Sequence, residues 1–451
     1  MEIPSDVRFC INTLENAGHE AYCVGGCVRD FLLGKTPHDF DLCSDALPDR
    51  IEALFSGFPL VLAGKKHGTV GVVMPSGVVE ITTYRTEGGY GDHRRPDWVA
   101  FVPELRQDLA RRDFTVNAMA FSPSRGLQDP FGGAADLKKG ILRAVGDPET
   151  RFREDALRIL RGVRFACRYG LEPEIETEAA MEKCAGLLDG LARERVFEEL
   201  SRLLPAADAD KLVRFAPVLT RAIPELAPMV GFDQRSPHHR YDLYTHTAQV
   251  TAGVPGDVTL RWTALLHDLG KIPCFTLDET GRGHFKGHAK VGAALADEVL
   301  RRLKAPTALR QRVTLLIELH MTRLMPEKKL LKRYLSRWGE ETVMQLLALQ
   351  RSDMGGKGTD EGDDGYFDRV QVLLEQIRSE GQCLTLRELA VNGNDLKALG
   401  LEGRQIGDTL RALLEAVVEE RLPNNREALL GEVRQHLPRP EPDRAIDGTE
   451  A

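Results

Sequence analysis

The sequence predicts an α+β fold, with a small mixed α/β head followed by an almost wholly helical remainder. Within the first 140 residues, short segments that alternate or are rich in Val, Ile and Thr stand between glycine turns, which is typical of strands. From Pro148 onward apolar residues recur three and four apart, which is the spacing of helices that pack on one face. At 451 residues the chain is long enough for three or more units, each with a core or stacked on its neighbour.

Composition is that of an ordinary soluble protein, with 42% hydrophobic and 28% charged residues. We expect neither a signal peptide nor a membrane span, because no apolar run has the required length and flanks. The eight cysteines contain no CxxC pair and are expected to be the reduced thiols of a cytoplasmic protein.

The net charge of −8 averages over regions of different sign. Between Arg151 and Arg168 six arginines stand against Glu154 and Asp155. A local basic stripe attracts a polyanion whatever the overall charge, so RNA is a compatible partner.

The head is predicted to alternate short helices with short strands. The predicted helices are Ser5–Ala17 and Asp49–Phe55, and the predicted strands are Ala21–Gly25, Gly71–Met74 and Val78–Tyr84. The last two strands flank a Pro-Ser-Gly turn, which indicates a hairpin.

Residues 24–46 carry the first candidate site. Gly25 and Gly26 precede a helical run, and a chain without Cβ atoms lets backbone N–H groups approach a triphosphate at a helix N-terminus. Asp39 and Asp41 lie two apart in an alternating segment, so on a strand their side chains would project to one face. Two carboxylates so placed repel each other unless a hard divalent cation lies between them. Mg²⁺ suits such a site, because it binds carboxylates together with substrate phosphates.

Glu80 is a third candidate carboxylate. On the predicted strand it shares a face with Val78 and Thr82, and an acid beside apolar neighbours needs a partner. Two interpretations stay open, a third ligand of the metal site or an ion pair with a nearby arginine.

Residues 109–121, LARRDFTVNAMAF, form a second motif. The adjacent Arg111 and Arg112 diverge on a helix, so we expect one to face a ligand and the other to meet solvent or a carboxylate. Asp113, Thr115 and Asn117 are short polar side chains of the kind that bond a ribose hydroxyl.

The third motif lies in a predicted helix over Arg153–Tyr169. Asp155, Arg158, Arg161 and Arg164 fall three apart and predict one polar ridge. An aspartate accepts from an exocyclic amine and a guanidinium donates to ring nitrogens or a carbonyl, so the pair imitates a base edge. The alternative is a helix with i,i+3 salt bridges of little energy. A further amphipathic helix, Leu191–Leu204, is expected to brace this one.

A second constellation is rich in histidine. Five of the 12 histidines lie between His246 and His320, and His267 stands directly before Asp268. Imidazoles and carboxylates suit Mn²⁺, Fe²⁺, Ni²⁺ or Zn²⁺ better than they suit Mg²⁺.

Together these stretches resemble the class II tRNA nucleotidyltransferases and the bacterial poly(A) polymerases. The resemblance rests on VGGCVRDFLLGKTPHDFDLCSDA, on RRDFTVNA and on EDALR, which is similar to the family's EDxxR amino-acid template. It implies a polymerase-β-like head, catalysis by Asp39, Asp41 and Glu80, and Mg²⁺ at Asp39 and Asp41. It implies nucleotide binding by Gly26, Arg29, Arg112, Asp155, Arg158, Arg161 and Arg164. It also implies a flexible loop at Glu87–Pro96.

The histidine-rich segment resembles an HD phosphohydrolase domain. The resemblance implies a metal ligand set of His246, His267, Asp268 and Asp353, holding a transition metal such as Ni²⁺, Mn²⁺ or Fe²⁺. It also implies a phosphohydrolase activity.

The resemblance implies that the protein adds C, C and A to the 3′ end of tRNA from CTP and ATP, without a nucleic-acid template. Three alternatives remain: an A-adding enzyme, a poly(A) polymerase, and an HD phosphohydrolase with a degenerate nucleotide-binding module. The predicted organisation is a nucleotidyltransferase head over 1–140, a helical neck over 141–232, an HD domain over 233–356, a helical tail over 366–437 and a disordered end over 438–451. No membrane partner is expected, and the sequence leaves the oligomeric state open.

Overall fold

The structure is a computed structural model that describes residues 2–37, 39–88, 98–358 and 364–436. Most of the predicted loop at Glu87–Pro96 lies outside these residues, as does the predicted disordered end over 438–451. Within the described ranges no helix has both the length and the apolar character that crossing a bilayer requires.

The chain divides into two compact units. The first runs to Glu318 and includes Gly356–Gly358, and the second takes the rest of the chain from Leu319. The finer division into head, neck, HD domain and tail stays a prediction.

The head is built on a seven-stranded sheet with the order β3-β4-β5-β2-β1-β8-β9. Its strands, with the separate pair β6 and β7, are β1 Ala21–Val24, β2 Leu42–Ser44, β3 Leu60–Val61, β4 Thr69–Met74, β5 Gly77–Thr83, β6 Arg85–Gly88, β7 Trp98–Phe101, β8 Ala120–Ser122 and β9 Gly126–Gln128. Its helices are α1 Ser5–Asn16, α2 Gly26–Leu32, α3 Pro48–Leu54, α4 Leu105–Ala110 and α5 Gly133–Lys139. The mixed α/β head is therefore confirmed.

The predicted hairpin is confirmed as β4 and β5, which pair from Thr69 opposite Thr82 to Met74 opposite Gly77. Along β5 the side chains of Val79 and Ile81 are buried, while Glu80 between them is exposed, as expected for a strand with one face on the core. β5 also pairs with β2 in parallel, and this pairing sets Ile81 beside Leu42.

The region after the head is helical. It contains the short parallel pair β10 Ile141–Leu142 and β11 Glu172–Pro173 and the helices α6 Pro148–Glu154, α7 Leu157–Tyr169, α8 Ile175–Cys184, α9 Arg193–Leu203, α10 Ala209–Arg214 and α11 Ala216–Ala222.

The predicted continuous helix over Arg153–Tyr169 is wrong in one respect. The backbone is extended at Asp155, with φ −138° and ψ 103°, and this separates α6 from α7. The side chain of Asp155 accepts a hydrogen bond from the backbone N–H of Leu157, 3.1 Å away. Asp155 therefore caps the start of α7, and a short polar side chain competes well for such a position.

The first unit continues with α12 Leu243–Gly253, α13 Val258–Leu266, the strands β12 Thr276–Leu277 and β13 Gly283–His284, α14 His288–Arg302 and α15 Thr307–Leu319, which ends at the division. One cluster of buried apolar side chains extends from Ile3 to Ile317, so a continuous core runs through this unit.

The second unit contains α16 Lys328–Trp338, α17 Glu340–Gly355, α18 Tyr366–Ser379, α19 Gly393–Lys397, α20 Arg404–Val418 and α21 Arg426–His436. A separate apolar cluster that reaches from Leu389 to Val433 holds its C-terminal helices together. The helical remainder is confirmed.

The predicted brace is also confirmed, because α9 packs along α7. Arg164 on α7 donates through Nε to the carboxylate of Glu199 on α9. Both side chains are buried, with 8% and 3% of their surface exposed, so each charge depends on the other.

Replacing Glu199 with alanine should leave the Arg164 guanidinium buried without its carboxylate. We expect the free energy of unfolding to fall by about 3–5 kcal/mol, measured by urea denaturation. The matched control is the neighbouring Glu198→Ala, because Glu198 is exposed and should change stability by less than about 0.5 kcal/mol. A loss below about 1 kcal/mol for Glu199→Ala would mean that the pair behaves as a surface ion pair.

Candidate active site

The three predicted carboxylates stand on or beside the neighbouring strands β2 and β5 of the head sheet. Asp41 directly precedes β2, which begins at Leu42, and Asp39 lies two residues earlier. The prediction that both aspartates lie within a strand is therefore wrong. The backbone N–H of Val24 nevertheless bonds the carbonyl of Asp41 at 3.0 Å, which holds this residue against β1.

The parallel register of β2 and β5 relates Asp41 to Glu80. Leu42 pairs with Ile81, so the preceding residues, Asp41 and Glu80, stand beside each other. Leu42 and Ile81 belong to the main core, and alternation turns the side chains of Asp41 and Glu80 to the opposite face.

The site carries negative charge without an internal counter-ion. Asp39, Asp41 and Glu80 are exposed, and within the described ranges none of them forms an ion pair. Partial loss of hydration raises the pKa of Asp41, with Arg112 opposing the rise and Asp39 adding to it. Carboxylate oxygens are the donors that Mg²⁺ accepts, so the chemistry of these side chains fits this ion.

Opposite the carboxylates lies the glycine turn. Gly25 has φ 78°, and its N–H bonds the carbonyl of Met119 at 3.1 Å. A Cβ atom on Gly25 would stand only 2.8 Å from Nη1 of Arg112, so the guanidinium would have to shift, and the left-handed φ by itself favours glycine here. Gly26 then begins α2.

The two adjacent arginines diverge as predicted, although both follow the end of α4 at Ala110 and do not lie on a helix. Arg111 pairs with Asp108 at 2.9 Å and with Glu87 at 2.8 Å. The nearest carboxylate oxygen to Arg112 belongs to Asp108 and is 3.7 Å away. Arg112 is thus the more available cation, and it faces Gly25.

Arg29 is held more tightly than the sequence indicates. It donates to Asn117 Oδ1 at 2.6 Å, to Asp30 Oδ1 at 2.9 Å and to the hydroxyl of Tyr169 at 2.5 Å. Its guanidinium also lies over the Tyr169 ring, 4.2 Å from the centroid. All three of its nitrogens therefore already bond protein groups.

Asp113, Thr115 and Asn117 are buried, and the structure uses them inside the protein instead of offering them to a ribose. Asp113 accepts from Arg161 Nε at 2.7 Å and from Asn117 Nδ2 at 3.1 Å. Burial acts to raise the pKa of Asp113, but Arg161 and Asn117 stabilise the anion, and the pKa falls to about 2. Asp113 is therefore ionised at any physiological pH.

The predicted ridge does not form one surface. Arg158 donates to Glu154 at 2.7 Å and to the carbonyl of Arg111 at 2.9 Å, which joins α7 to the arginine motif. Asp155 accepts from Arg195 of α9 at 3.0 Å. The four predicted side chains thus reach different partners, because the chain breaks at Asp155 and the first member leaves the helix.

Sequence reasoning missed Arg195, Glu199 and Tyr169 as partners of the candidate site. Each was assigned only to an amphipathic pattern, and nothing in the sequence indicates which charge it meets across the fold. The signal that was available is weak: a charge among apolar positions of α9.

The second candidate site is a buried group of imidazoles around one carboxylate. Nε2 of His267 lies 3.1 Å and Nε2 of His246 3.5 Å from Oδ2 of Asp268. His288, which the predicted ligand set omits, brings Nε2 to 3.7 Å from Oδ1. Lys271 also contacts Asp268, at 2.8 Å.

The second nitrogen of each imidazole is held by the backbone. Nδ1 contacts a carbonyl oxygen in His246 (Gly356, 3.0 Å), His267 (Ala264, 2.7 Å) and His288 (Phe285, 2.8 Å). A carbonyl only accepts, so Nδ1 carries the proton and Nε2 of a neutral ring keeps its lone pair toward Asp268. Burial lowers the pKa of His288, which favours that neutral ring.

The Nε2 lone pairs of these histidines point toward the carboxylate of Asp268, an arrangement that suits a metal cation bound between them. The donor atoms of His246, His267 and Asp268 lie within 4.8 Å of one another, so the residues present fit a transition metal. Asp353, the fourth predicted ligand, lies on α17 in the second unit, and its participation stays a prediction.

Comparison with known proteins agrees with this geometry. The model of the poly A polymerase head domain matches residues 21–143, that of a probable RNA- and SrmB-binding site of polymerase A matches 170–216, and that of a putative tRNA nucleotidyltransferase domain 2 matches 287–433. The CCA-adding enzyme of Levilactobacillus brevis is 36% identical over 432 residues, which cover 94% of this chain and 96% of the relative.

Solved structures share the fold. The Bacillus stearothermophilus CCA-adding enzyme in complex with CTP has a TM-score of 0.70 at 28% identity, covering 96% of this chain and 99% of that chain. The Thermotoga maritima CCA-adding enzyme complexed with tRNA has a TM-score of 0.56 at 20% identity, covering 95% of this chain and 94% of that chain, and shows likeness of fold alone. Sequence identity above 30% along almost the whole of both chains, together with the shared fold, places this chain in the family of CCA-adding tRNA nucleotidyltransferases.

Proposed function

We propose that this protein adds C, C and A to the 3′ end of tRNA from CTP and ATP, without a nucleic-acid template. Its relatives are CCA-adding enzymes over nearly the whole chain. The observation that carries the chemistry is the register that sets Asp41 beside Glu80 at the edge where Asp39 stands. Incubating the protein with a tRNA that lacks CCA, and with CTP, ATP or both, tests the proposal: incorporation of A alone would identify an A-adding enzyme, and long A tails a poly(A) polymerase.

Asp39 and Asp41 would hold the metal ions, with Glu80 as a third carboxylate. When bound, two Mg²⁺ ions supply Lewis-acid chemistry, lowering the pKa of the attacking hydroxyl and neutralising the leaving pyrophosphate. Arg112 and the backbone at Gly26 bind and orient the triphosphate.

Arg29 contributes to nucleotide binding indirectly, by positioning the residues around it. Its nitrogens already donate to Asn117, Asp30 and Tyr169, so Arg29 fixes the start of α2 and keeps Asn117 in place. Arg161 and Arg164 also act as positioning residues for the nucleotide site. Arg161 donates to Asp113, and Arg164 donates to Glu199.

Asp155 and Arg158 retain bonding capacity for a base edge. A carboxylate has about four lone-pair sites, and Asp155 uses two, for Arg195 and for the N–H of Leu157. Both Nη1 protons of Arg158 are engaged, but its Nε–H and one Nη2–H have no acceptor in the part of the chain that the structure describes. The pair can therefore accept an amine and donate to a ring nitrogen, which selects cytosine and adenine over uracil and guanine.

Removing either strand-end carboxylate should stop nucleotide transfer. We expect Asp39→Ala and Asp41→Ala to lower incorporation of both CMP and AMP by about a thousandfold, because a Lewis acid worth several kcal/mol is lost. Binding of tRNA, measured by filter retention, should persist. The matched control is Asp49→Ala, since Asp49 is an exposed aspartate on α3 that pairs only with Lys65. Near wild-type turnover in either variant would overturn the two-metal assignment.

The template assignment predicts a loss of selectivity that exceeds the loss of rate. Asp155→Ala and Arg158→Ala should incorporate UTP or GTP at a higher ratio to CTP and ATP, compared through kcat/KM for each nucleotide. Arg153→Ala is the matched control, because Arg153 is exposed on α6 and pairs with Glu149 instead of with either residue of the proposed template. If rate falls for all four nucleotides while their ratios stay constant, the two residues only support the fold.

A second function, hydrolysis of a phosphoester at a metal centre, is favoured by one specific observation. Three backbone carbonyls orient His246, His267 and His288 so that their Nε2 lone pairs converge on Asp268. We propose that His246, His267 and Asp268 hold Ni²⁺, Mn²⁺ or Fe²⁺, with Asp353 as the predicted fourth ligand. The metal would supply a water nucleophile near neutral pH, suited to a 2′,3′-cyclic phosphate or a phosphate monoester at a damaged tRNA end.

The two activities should be separable. The double variant His267→Ala with Asp268→Asn should lose the transition metal, measured as metal per chain by plasma mass spectrometry, and should lose hydrolysis of p-nitrophenyl phosphate. CCA addition should stay near wild type. His284→Ala is the matched control, because His284 is exposed and pairs with Asp278. Loss of CCA addition in the double variant would show that the two sites depend on each other.

A further inference from the structure

The second unit contains a cavity of about 480 Å³ that the nucleotidyl-transfer chemistry leaves unused. Its walls come from the segment after α15, from the end of α17 and from the start of α18, and its lining includes His320, Arg323, Asp353, Tyr366 and Arg369. This volume falls within the range of about 300–1,000 Å³ that is typical of small-molecule sites.

Two of the lining side chains are cations whose hydrogen-bonding capacity is only partly used. Arg323 donates through Nε to the hydroxyl of Tyr366 at 3.2 Å, and Arg369 donates through Nη1 to the carbonyl of Asp364 at 2.7 Å. Within the described ranges neither guanidinium forms an ion pair. Most surface arginines of this unit do pair, as Arg351 pairs with Asp368 at 2.6 Å.

The wall that carries Arg323 is held rigidly. The hydroxyl of Tyr366 donates to the carbonyl of Leu324 at 2.9 Å, and the Arg323 guanidinium lies over its ring, 4.9 Å from the centroid. Gln350 donates to the carbonyls of His320 and Thr322 at 3.0 Å and 2.7 Å, which fixes the same segment to α17. Donors that are held before a ligand arrives bind it at a lower entropic cost.

We propose that this cavity binds the dianionic phosphate of a nucleoside monophosphate or of a phosphorylated RNA end, with Arg323 and Arg369 as its donors. Paired guanidinium groups match a terminal phosphate, which presents three oxygens and up to two charges. The ring of Tyr366 offers a surface for the attached sugar or base. The inference goes beyond the proposed hydrolytic function, because both donors and all the lining residues belong to the second unit.

Titration calorimetry of the full chain with inorganic phosphate tests the binding directly. The Arg112→Ala background removes the main phosphate-binding cation of the head, so that the second unit dominates the signal. In this background, Arg323→Ala with Arg369→Ala should weaken phosphate binding at least tenfold, and the lysine versions of both substitutions should weaken it less. Arg351→Ala is the matched control, as Arg351 is an exposed arginine on α17 outside the cavity lining. The thermal unfolding midpoint should be the same in all variants.

A second ligand provides the independent readout. In the Arg112→Ala background, the double alanine variant should also bind adenosine monophosphate at least tenfold more weakly, while its bound metal stays close to wild type. Phosphate affinity equal to that of the parent, or an equal loss in Arg351→Ala, would overturn the anion site. If the parent hydrolyses no ester with Mn²⁺, Ni²⁺ or Fe²⁺ but binds phosphate through Arg323 and Arg369, the hydrolase proposal fails and the anion site stands.

Discussion

The buried carboxylate of Asp113 is the interaction on which the candidate active site depends. It accepts from Arg161 of α7 on one side and from Asn117 on the other, and Asn117 in turn accepts from Arg29 of α2. The helix proposed to read the base and the helix that begins at the glycine turn are thus joined through one anion. Charged hydrogen bonds in a site shielded from water are stiff, so this network fixes the distance between the two functions.

The first unit contains two candidate cation sites that differ in their physical character. The carboxylates at the head edge are exposed oxygen donors, which suits an ion that keeps water and phosphate ligands during turnover. The imidazoles around Asp268 are buried, with His246 and His267 almost fully enclosed and held by carbonyls. Nitrogen donors in a fixed arrangement favour a transition metal, so the two sites need not compete for one ion.

Residue identity was sufficient to predict the elements whose pattern is local. The hairpin of β4 and β5, the helices of the tail and the divergence of Arg111 from Arg112 all follow from alternation, helical spacing and adjacent positions on one turn. Asp39 and Asp41 could be selected because carboxylates two apart repel each other without a cation between them, and Glu80 was added by the family resemblance, with an ion pair to an arginine as its alternative. The break after α6 could not be predicted, because Asp155 leaves the helix to cap α7 with one oxygen and to accept from Arg195 of α9, 40 residues away, with the other.

The sequence by itself therefore determined the class of the fold, the family resemblance and the chemical type of each site, since all three depend on residue types at short spacing. Only the tertiary structure decided which charged side chains pair with one another. The long-range partners of Arg29, Asp113 and Arg164 lie from 35 to 140 residues away in the chain. It also decided that His288 joins the imidazole group, and that Arg323 and Arg369 line one cavity. The physical reason is that a buried charge is paired by packing across the fold, and no local periodicity records that packing.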